Sequence, residues 1–542
     1  LGLVHPWLTK LVIDKAYVQK DLKLFVSLVV LGVVVFILSG ITTSFAIYLS
    51  QYVKIRVNFN LQQRVFKKLQ FLPYHFFQET STGQHLYRIN YDIERAASLI
   101  TDILPQIIQI LPKALFIFGV LLYLNWKLAI VSIILSPFVW GASYIFAIRL
   151  KKALKIWIED TQRLFEKAQE ILSHIHLVKT FGRGKSEAKV YISRVIQNIR
   201  IRLNNVKLEV RATFVNSFVY RLAFGIVAFY GGYQVIKGQM TLGSLMAATL
   251  YLGQLSSLQG TFTNFLQQIF LGSVSIERLE AILSTPGESQ ELLPAKQLVF
   301  SAGNIKFNNV SFGFIPNRLI LDNMTLDIPG GSCLGLVGPS GCGKTTLVNL
   351  LLRIYQPING SIFIDDCDIR RIQAKTFYEQ IGLMLQESWL WNDTIGNNIR
   401  YGKDNADTKE IREAAHIACI DDFIMSLPDG YNSRVGENAC KISEGQKQRL
   451  AIARALIKRP KILILDEAFS FVNEGLEAKI IDNIKSALKA STIILIAHRL
   501  SVLSKTDRVY FFTGPHNIEI AEHEKLFKDN PSYRNFFTYL GP

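Results

Sequence analysis

Cysteine is scarce in this chain of 542 residues, acidic residues are outnumbered by basic ones, and one long stretch has no charge at all. The five cysteines, Cys333, Cys342, Cys367, Cys419 and Cys440, all lie in the C-terminal half, and none forms a CxxC pair or a Cys/His cluster. That excludes a disulfide framework or a zinc-ribbon site and fits reduced cytosolic thiols. From Leu24 to Val53 no residue is charged, and a run of that length crosses a bilayer with some tilt. The apolar part of residues 1–13 is too short to span, is cut by Pro6 and Lys10, and does not read as a signal peptide.

Apolar residues are abundant. They make up 49% of the chain and mean hydropathy is +0.23, so the excess apolar surface needs a non-aqueous home. The length allows roughly three to four domains. The net charge of +17 points to nucleic acid or to a membrane surface, and the placement of the charges decides between them.

Four further stretches have spanning length. Residues 128–148 are uncharged between Lys127 and Arg149, 101–126 are interrupted only by Lys113 beyond Asp102 at their start, 213–236 only by Arg221, and 243–270 are uncharged but polar in their second half. Five such runs within 270 residues predict a helical membrane domain rather than the buried helices of a soluble core. Basic residues crowd 51–100 and 150–212, for example Lys54, Arg56, Arg64, Lys151, Lys152 and Lys155, whereas the connections at 125–127 and 237–242 are short. The positive-inside rule therefore puts the two long segments in the cytoplasm, and it accounts for much of the charge without nucleic acid. Residues 1–23 then lie outside, and an odd number of spans implies one more helix ahead of residue 1.

Both cytoplasmic segments read as polar helices that extend the spans, each with a break, at Pro73–Gly83 and at Gly182–Gly184. The breaks predict either elbows that touch a cytoplasmic partner or plain helix-to-helix turns. The membrane domain should cover 1–283. A Pro-, Gly-, Ser- and Glu-rich linker follows over 284–300. Over 301–542, NIKFNNVSF, GSCLGLVG, SIFID, KILILD and STIILIAH alternate with helical runs, which predicts an α/β domain with a mainly parallel sheet.

The second domain carries the chemistry. Gly338, Pro339, Ser340, Gly341, Cys342, Gly343, Lys344 and Thr345 form a complete P-loop between the apolar strand CLGLV and a helix that continues through Thr346. Glycines let backbone N–H groups cradle phosphates, and the helix N-terminus adds a favourable field. Lys344 is expected to reach the β- and γ-phosphates and Thr345 to hold Mg²⁺. KILILDEA is a buried strand ending in two carboxylates. Asp466 is placed for Mg²⁺, and Glu467 for orienting or deprotonating a water that attacks the γ-phosphate. His498 ends the strand TIILIAH, which would lie beside the P-loop and bring the imidazole to the γ-phosphate.

With these residues in hand the chain resembles the ATP-binding cassette (ABC) exporter family, as a half-transporter. Ile442, Ser443, Glu444, Gly445 and Gln446, followed by KQRLAIARAL, look like the family's signature motif. The resemblance makes Gln386 the Q-loop residue and a Mg²⁺ contact, His498 the switch histidine, and Phe314 the aromatic that stacks on adenine. Residues 24–283, with Phe76, Phe77, Gly83 and INYDIERA, resemble the exporter-type transmembrane domain. The implied function is ATP-driven export in a dimer, with ATP and Mg²⁺ as cofactors. Ser443, Glu444, Gly445 and Gln446 would act on the nucleotide of the partner subunit. The implied setting is a lipid bilayer, most naturally a bacterial inner membrane with the ATPase domain cytoplasmic.

Three positions depart from the family pattern: Glu444 for Gly, Asn473 for Asp, and Phe314 for Tyr. The first two raise a heterodimer with one weak ATP site, although a homodimer that tolerates the changes is narrowly favoured. Lys113 and Arg221 inside spans, with Gln254, Ser257, Thr261, Asn264 and Gln268 on one helical face, predict a wet, positive cavity for an amphipathic or anionic lipid, peptide or drug-like cargo. The competing reading is that both cations snorkel. Two other classes stand beside the exporter. One is a soluble cassette ATPase acting on DNA, which the spans oppose. The other is an ATP-binding regulatory or weakly hydrolysing subunit, which Glu467 and His498 oppose.

Overall fold

The computed structural model describes residues 2–80, 82–287, 296–315, 318–436, 442–514 and 517–540. Inside helices, the side chains at 79, 131–140, 142–143, 147, 216, 259, 263–264, 266–267 and 538–540 are not described. Cys440, Asn264's side chain and residues 288–295 of the expected linker therefore lie outside the described residues. The chain divides into two compact units, Leu1–Glu288 and Ser289–Pro542.

The first unit is helical. Leu22–Gln70, Trp126–Ser173, Gly184–Ile236 and Leu242–Ser284 are single helices of 49, 48, 53 and 43 residues, and helix also runs through Thr82–Leu124. At 1.5 Å per residue, 49 residues reach about 74 Å, more than twice the hydrocarbon core, so the spans extend well beyond the bilayer. Polar caps start three of them: Asp21 accepts from the Lys23 and Leu24 amides, Asn125 from Lys127, and Thr241 from Ser244. By length and apolarity among the described residues, three helices qualify as spans: Leu22–Gln70, Thr82–Leu124 and Gly184–Ile236. The other two expected spans fall on Trp126–Ser173, whose side chains at 131–140 are not described, and on Leu242–Ser284, diluted by its polar second half.

Large apolar side chains such as Leu31, Phe36 and Phe45 face outward from the first of these helices. That surface needs hydrocarbon around it. Inside, Ile117, Leu121, Val227, Ala247, Ala248 and Tyr251 form one core and Val65, Leu69, Ile93, Ala96, Leu279 and Ile282 another. Asp92 is fully buried, accepts from Ser275 Oγ at 2.8 Å, and so joins INYDIERA to the last helix. Both expected breaks are present. Pro73 caps a short helix Tyr74–Glu79, and Gly182 sits at φ +63° after Ile175–Thr180.

The second unit is α/β with two sheets. β3 (Cys333–Val337), β6 (Ile381–Met384), β7 (Ile462–Asp466), β8 (Thr492–Ile496), β9 (Arg508–Phe512) and β10 (Ile518–Ala521) form one sheet in the order β10-β9-β3-β8-β7-β6, parallel except at β10. β3, β7 and β8 are buried at every position, as a sheet covered on both faces requires. Their residues alternate between two cores. Val337, Leu463, Leu465 and Leu495 face the helical layer, and Leu334, Leu336, Ile464 and Ile494 the other side.

The expected mainly parallel sheet is present, and a second sheet that was not expected from the sequence accompanies it. β1 (Ile305–Phe312), β2 (Leu321–Ile328), β4 (Asn359–Ile364) and β5 (Cys367–Asp368) make a separate antiparallel sheet, ordered β2-β1-β4-β5. Its sequence signal is the alternation of buried and exposed residues in β2, the mark of a strand with one wet face.

Asp365 ties this sheet to the chain entering the unit. At φ +48° its carboxylate accepts the amides of Ser301, Gly303 and Asn304 at 2.7, 3.2 and 2.9 Å. Asp365→Ala should cost about 3 kcal/mol, since three charge-assisted bonds go and Ala tolerates that φ poorly. Thermal unfolding of the purified chain checks it: the apparent Tm should fall by several degrees, and by less for Asp365→Asn, which accepts the left-handed φ.

Candidate functional site

β3 leads directly into the glycine-rich loop. Gly338, Gly341 and Gly343 sit at φ +155°, +82° and +105°, where a Cβ is strained. At Gly343 a Cβ would also come within 2.8 Å of Leu321 Cδ2, so the loop can only close as glycine. The helix Lys344–Leu351 then begins. Lys344 is buried, and its Nζ donates to the carbonyls of Gly338 at 2.7 Å and Pro339 at 3.0 Å. Pro339, Ser340, Gly341 and Thr345 are exposed, Cys342 is half-buried, and Thr346 is buried.

Strand register gathers the remaining candidates. Leu336 of β3 pairs with Ile496 of β8, and Ile496 pairs with Asp466 of β7. Three parallel strands thus end on one line, and the residues that follow, Gly338, His498 and Glu467, come to the same carboxyl-end rim, where open α/β sheets bind ligands. Gln386, two residues beyond β6, donates its Nε2 to Glu467 Oε2 at 3.0 Å. His498 Nε2 stands 3.5 Å from Glu467 Oε1. Glu467 itself is held at φ +48°, an unusual conformation for a non-glycine residue and one found at functional sites.

Burial, reinforced by the neighbouring Glu467 charge and opposed by Lys344, pushes the Asp466 carboxyl up to about 6. His498 is moved below its ordinary value by burial and by the Lys344 charge, against the pull of Glu467, so the imidazole is neutral at pH 7. The cluster can hold a polar ligand between one buried cation, one poised carboxylate and one neutral imidazole. Among the described residues no three His, Cys, Asp or Glu side chains gather to hold a metal.

Phe314 is 58% exposed and stands edge-on to Phe312 and Tyr355, with ring centroids 5.2 and 5.3 Å apart. An exposed ring braced by two others is suited to stacking. The signature residues make their own local structure. Ser443 caps the helix Glu444–Leu456. Its Oγ accepts from the Gln446 amide, while Gln446 Oε1 accepts from the Ser443 amide. Gly445 lies against Phe471, whose carbonyl would be 2.6 Å from a Cβ there.

Two residues that the sequence reading passed over hold this site together. Gln448 is buried, donates to Ser470 Oγ at 2.7 Å and accepts from the Phe471 amide at 3.1 Å. It thereby links the signature helix to the turn after Glu467. Arg499 donates to the carbonyls of Val472 at 2.6 Å and Ser470 at 2.9 Å, backed by the buried Glu477. The available signal for Gln448 was a polar residue on the apolar stripe shared with Ala451, Ile452 and Ala455.

In the helical unit, Arg221 and Lys127 line a largely apolar cavity of about 720 Å³ with Leu222, Ile226 and Phe229. Lys113, Gln254 and Ser257 line a second, more polar one of about 370 Å³ with Ser39, Thr42 and Thr43. The expected polar face is partly spent on its own helix: Ser257 donates to the Gln254 carbonyl and Thr261 to that of Ser257.

Known proteins agree with this architecture. Residues 1–259 match the family model of the ABC transporter transmembrane region, and residues 321–470 that of the ABC transporter itself. The chain therefore belongs to the ABC transporter family. It is 31% identical, over 98% of its length and 93% of the relative's, to an ATP-dependent lipid A-core flippase of Desulfotalea psychrophila. It is 32% identical, over 86% of its length and 74% of the relative's, to a fatty acid ABC transporter ATP-binding/permease protein of Mycobacterium bovis. A bacterial Atm1-family ABC exporter with ATP bound superposes with a TM-score of 0.92 at 26% identity, covering all of this chain and 96% of that one. The chain is thus a membrane-embedded half-transporter of exporter type, which binds and hydrolyses ATP to drive transport and works as a dimer. These relatives lend no support to the regulatory alternative.

Asp466 yields a signed prediction. Its carboxyl titrates near 6 when folded, against 3.8 when unfolded, so the folded state binds the extra proton between those values. The buried charge therefore costs stability above pH 6, and the cost fades as pH falls toward 4. Without nucleotide, Asp466→Asn should raise the apparent Tm at pH 8 while removing ATPase activity. The gain should shrink toward pH 5, where the wild-type carboxyl protonates; a gain that is flat with pH contradicts the assignment.

Proposed function

We propose that two identical copies of this chain bind ATP at two shared sites and export an amphipathic, anionic cargo from the cytoplasm across a bacterial inner membrane. The observation that carries this reading is the meeting of Gln386, Asp466, Glu467 and His498 at the strand ends beside Lys344. Lys344, now donating to two loop carbonyls, would exchange them for the β- and γ-phosphates, while amides from Gly338 to Thr346 cradle the chain of phosphates. Phe314 would stack on adenine. Glu467, fixed by Gln386, would orient the attacking water and take its proton, with neutral His498 donating to the γ-phosphate.

Thr345, Gln386 and Asp466 offer hydroxyl, amide and carboxylate oxygens, a hard donor set that fits Mg²⁺. The Asp466 carboxyl, raised by burial, fits a site completed by a cation. When bound, that ion would neutralise phosphate charge.

Ser443, Glu444, Gly445 and Gln446 would meet the nucleotide of the other copy, since each chain has one P-loop and one signature. Intact Lys344, Glu467 and His498 fit two working sites in a homodimer; in an unequal pair this chain, with its altered signature, would be the subunit that keeps the catalytic glutamate. The basic segments 51–100 and 150–212 support a cytoplasmic ATPase unit. The cargo class is supported by Arg221 and Lys127 beside apolar cavity walls, by Lys113 in the more polar cavity, and by the amphiphiles in the relatives' names, lipid A-core and fatty acid.

The chain purified alone should turn over ATP, and Glu467→Gln should lower turnover by at least about 100-fold. Turnover that appears only after a second half-transporter is added would defeat the homodimer. Arg221→Ala with Lys113→Ala should weaken stimulation of the ATPase by anionic amphiphiles. Unchanged stimulation by every anionic amphiphile tried would return both cations to a snorkelling role.

A further inference from the structure

Glu444 is the first residue of the helix Glu444–Leu456, and its carboxylate is exposed. A helix N-terminus attracts anions, so a carboxylate there competes with any phosphate that approaches the same end. Left alone, Glu444 would present a full negative charge to a polyphosphate. The other polar groups of the turn are already engaged, because Ser443 and Gln446 cap each other. Lys447 is the remaining partner. One turn further on, its Nζ donates to Glu444 Oε1 at 2.7 Å, and its own side chain is only 15% exposed against 56% for Glu444.

The geometry is that of an i,i+3 pair on one helix face. An i,i+3 pair with its carboxylate at the surface contributes little to folding, so its presence is better explained by what it does to the field at the helix end. With Lys447 in place the first turn carries a neutral dipole; without it, the turn carries one negative charge.

We propose that Lys447 is a positioning residue for ATP-driven closure: it holds the Glu444 carboxylate in an intrahelical ion pair, so that this helix N-terminus can still accept the γ-phosphate of the nucleotide bound by the other copy. The proposal rests on the reading that the signature acts across the dimer. It explains how a carboxylate sits in this motif in a chain that keeps Lys344, Glu467 and His498. Lys447 acts through Glu444 and through the charge that the incoming phosphate meets.

The test is steady-state ATPase of the purified full-length dimer against ATP concentration. Lys447→Gln should raise KM for ATP about fivefold, the size of one unscreened like charge near the site, with kcat within about twofold. Lys447→Arg should keep the wild-type KM, and the double variant Glu444→Gln/Lys447→Gln should bring KM back to within about twofold of wild type. An unchanged KM in Lys447→Gln, or a double variant as impaired as Lys447→Gln alone, overturns the proposal. Ser443→Ala separates the two layers. If it impairs turnover while Lys447→Gln leaves KM alone, only the role of Lys447 falls. If Ser443→Ala changes neither KM nor kcat, the action across the dimer falls and the proposal with it.

Discussion

The in-register ending of β3, β8 and β7 is the constraint on which the ATPase unit depends. Leu336, Ile496 and Asp466 are ladder partners, so the glycine loop, His498 and Glu467 leave the sheet at one level. A one-residue slip of β7 would invert its faces, moving Leu463 and Leu465 into the wrong core and turning Asp466 away. The fully buried runs on both faces prevent that slip, because each residue has a dedicated core on its side. Packing thus sets the positions of the polar groups.

Polar ties then convert that scaffold into a site. Gln386 and His498 both approach Glu467, and Gln448 and Arg499 hold the turn that follows it. Gln448 has a double attachment, because it grows from the signature helix and bonds the segment after Glu467. Movement of that helix would be felt at the turn after Glu467 without any change in the sheet.

Much of this was legible from residue order. The P-loop, the paired carboxylates and the strand-end histidine are compact motifs whose chemistry follows from local spacing, and the five helices follow from charge-free runs. The antiparallel sheet was not anticipated because β2 and β4 are half exposed, and their pairing with β1 spans distances along the chain that periodicity does not report. Gln448 and Arg499 were missed for a related reason. Most of their partners are groups of the loop after Glu467, which sequence alone does not place in space. Glu444 was visible as an anomaly, but its partner became evident only once the helix put Lys447 beside it.

The long helices of the membrane unit act as stiff rods. Tilting a rod by 5° displaces a point about 40 Å away by about 3.5 Å, a little over two residue rises along the axis. Small rotations near the short helices Tyr74–Glu79 and Ile175–Thr180 are therefore magnified at the far ends. Give is concentrated where the ladder is loosened, at the π-helical turns Arg88–Asp92 and Leu99–Ile103 and at Pro112. Among the described residues, Thr82–Leu124 is thus a compliant member, and bending there would let one rod lag behind its neighbours as the bundle changes shape.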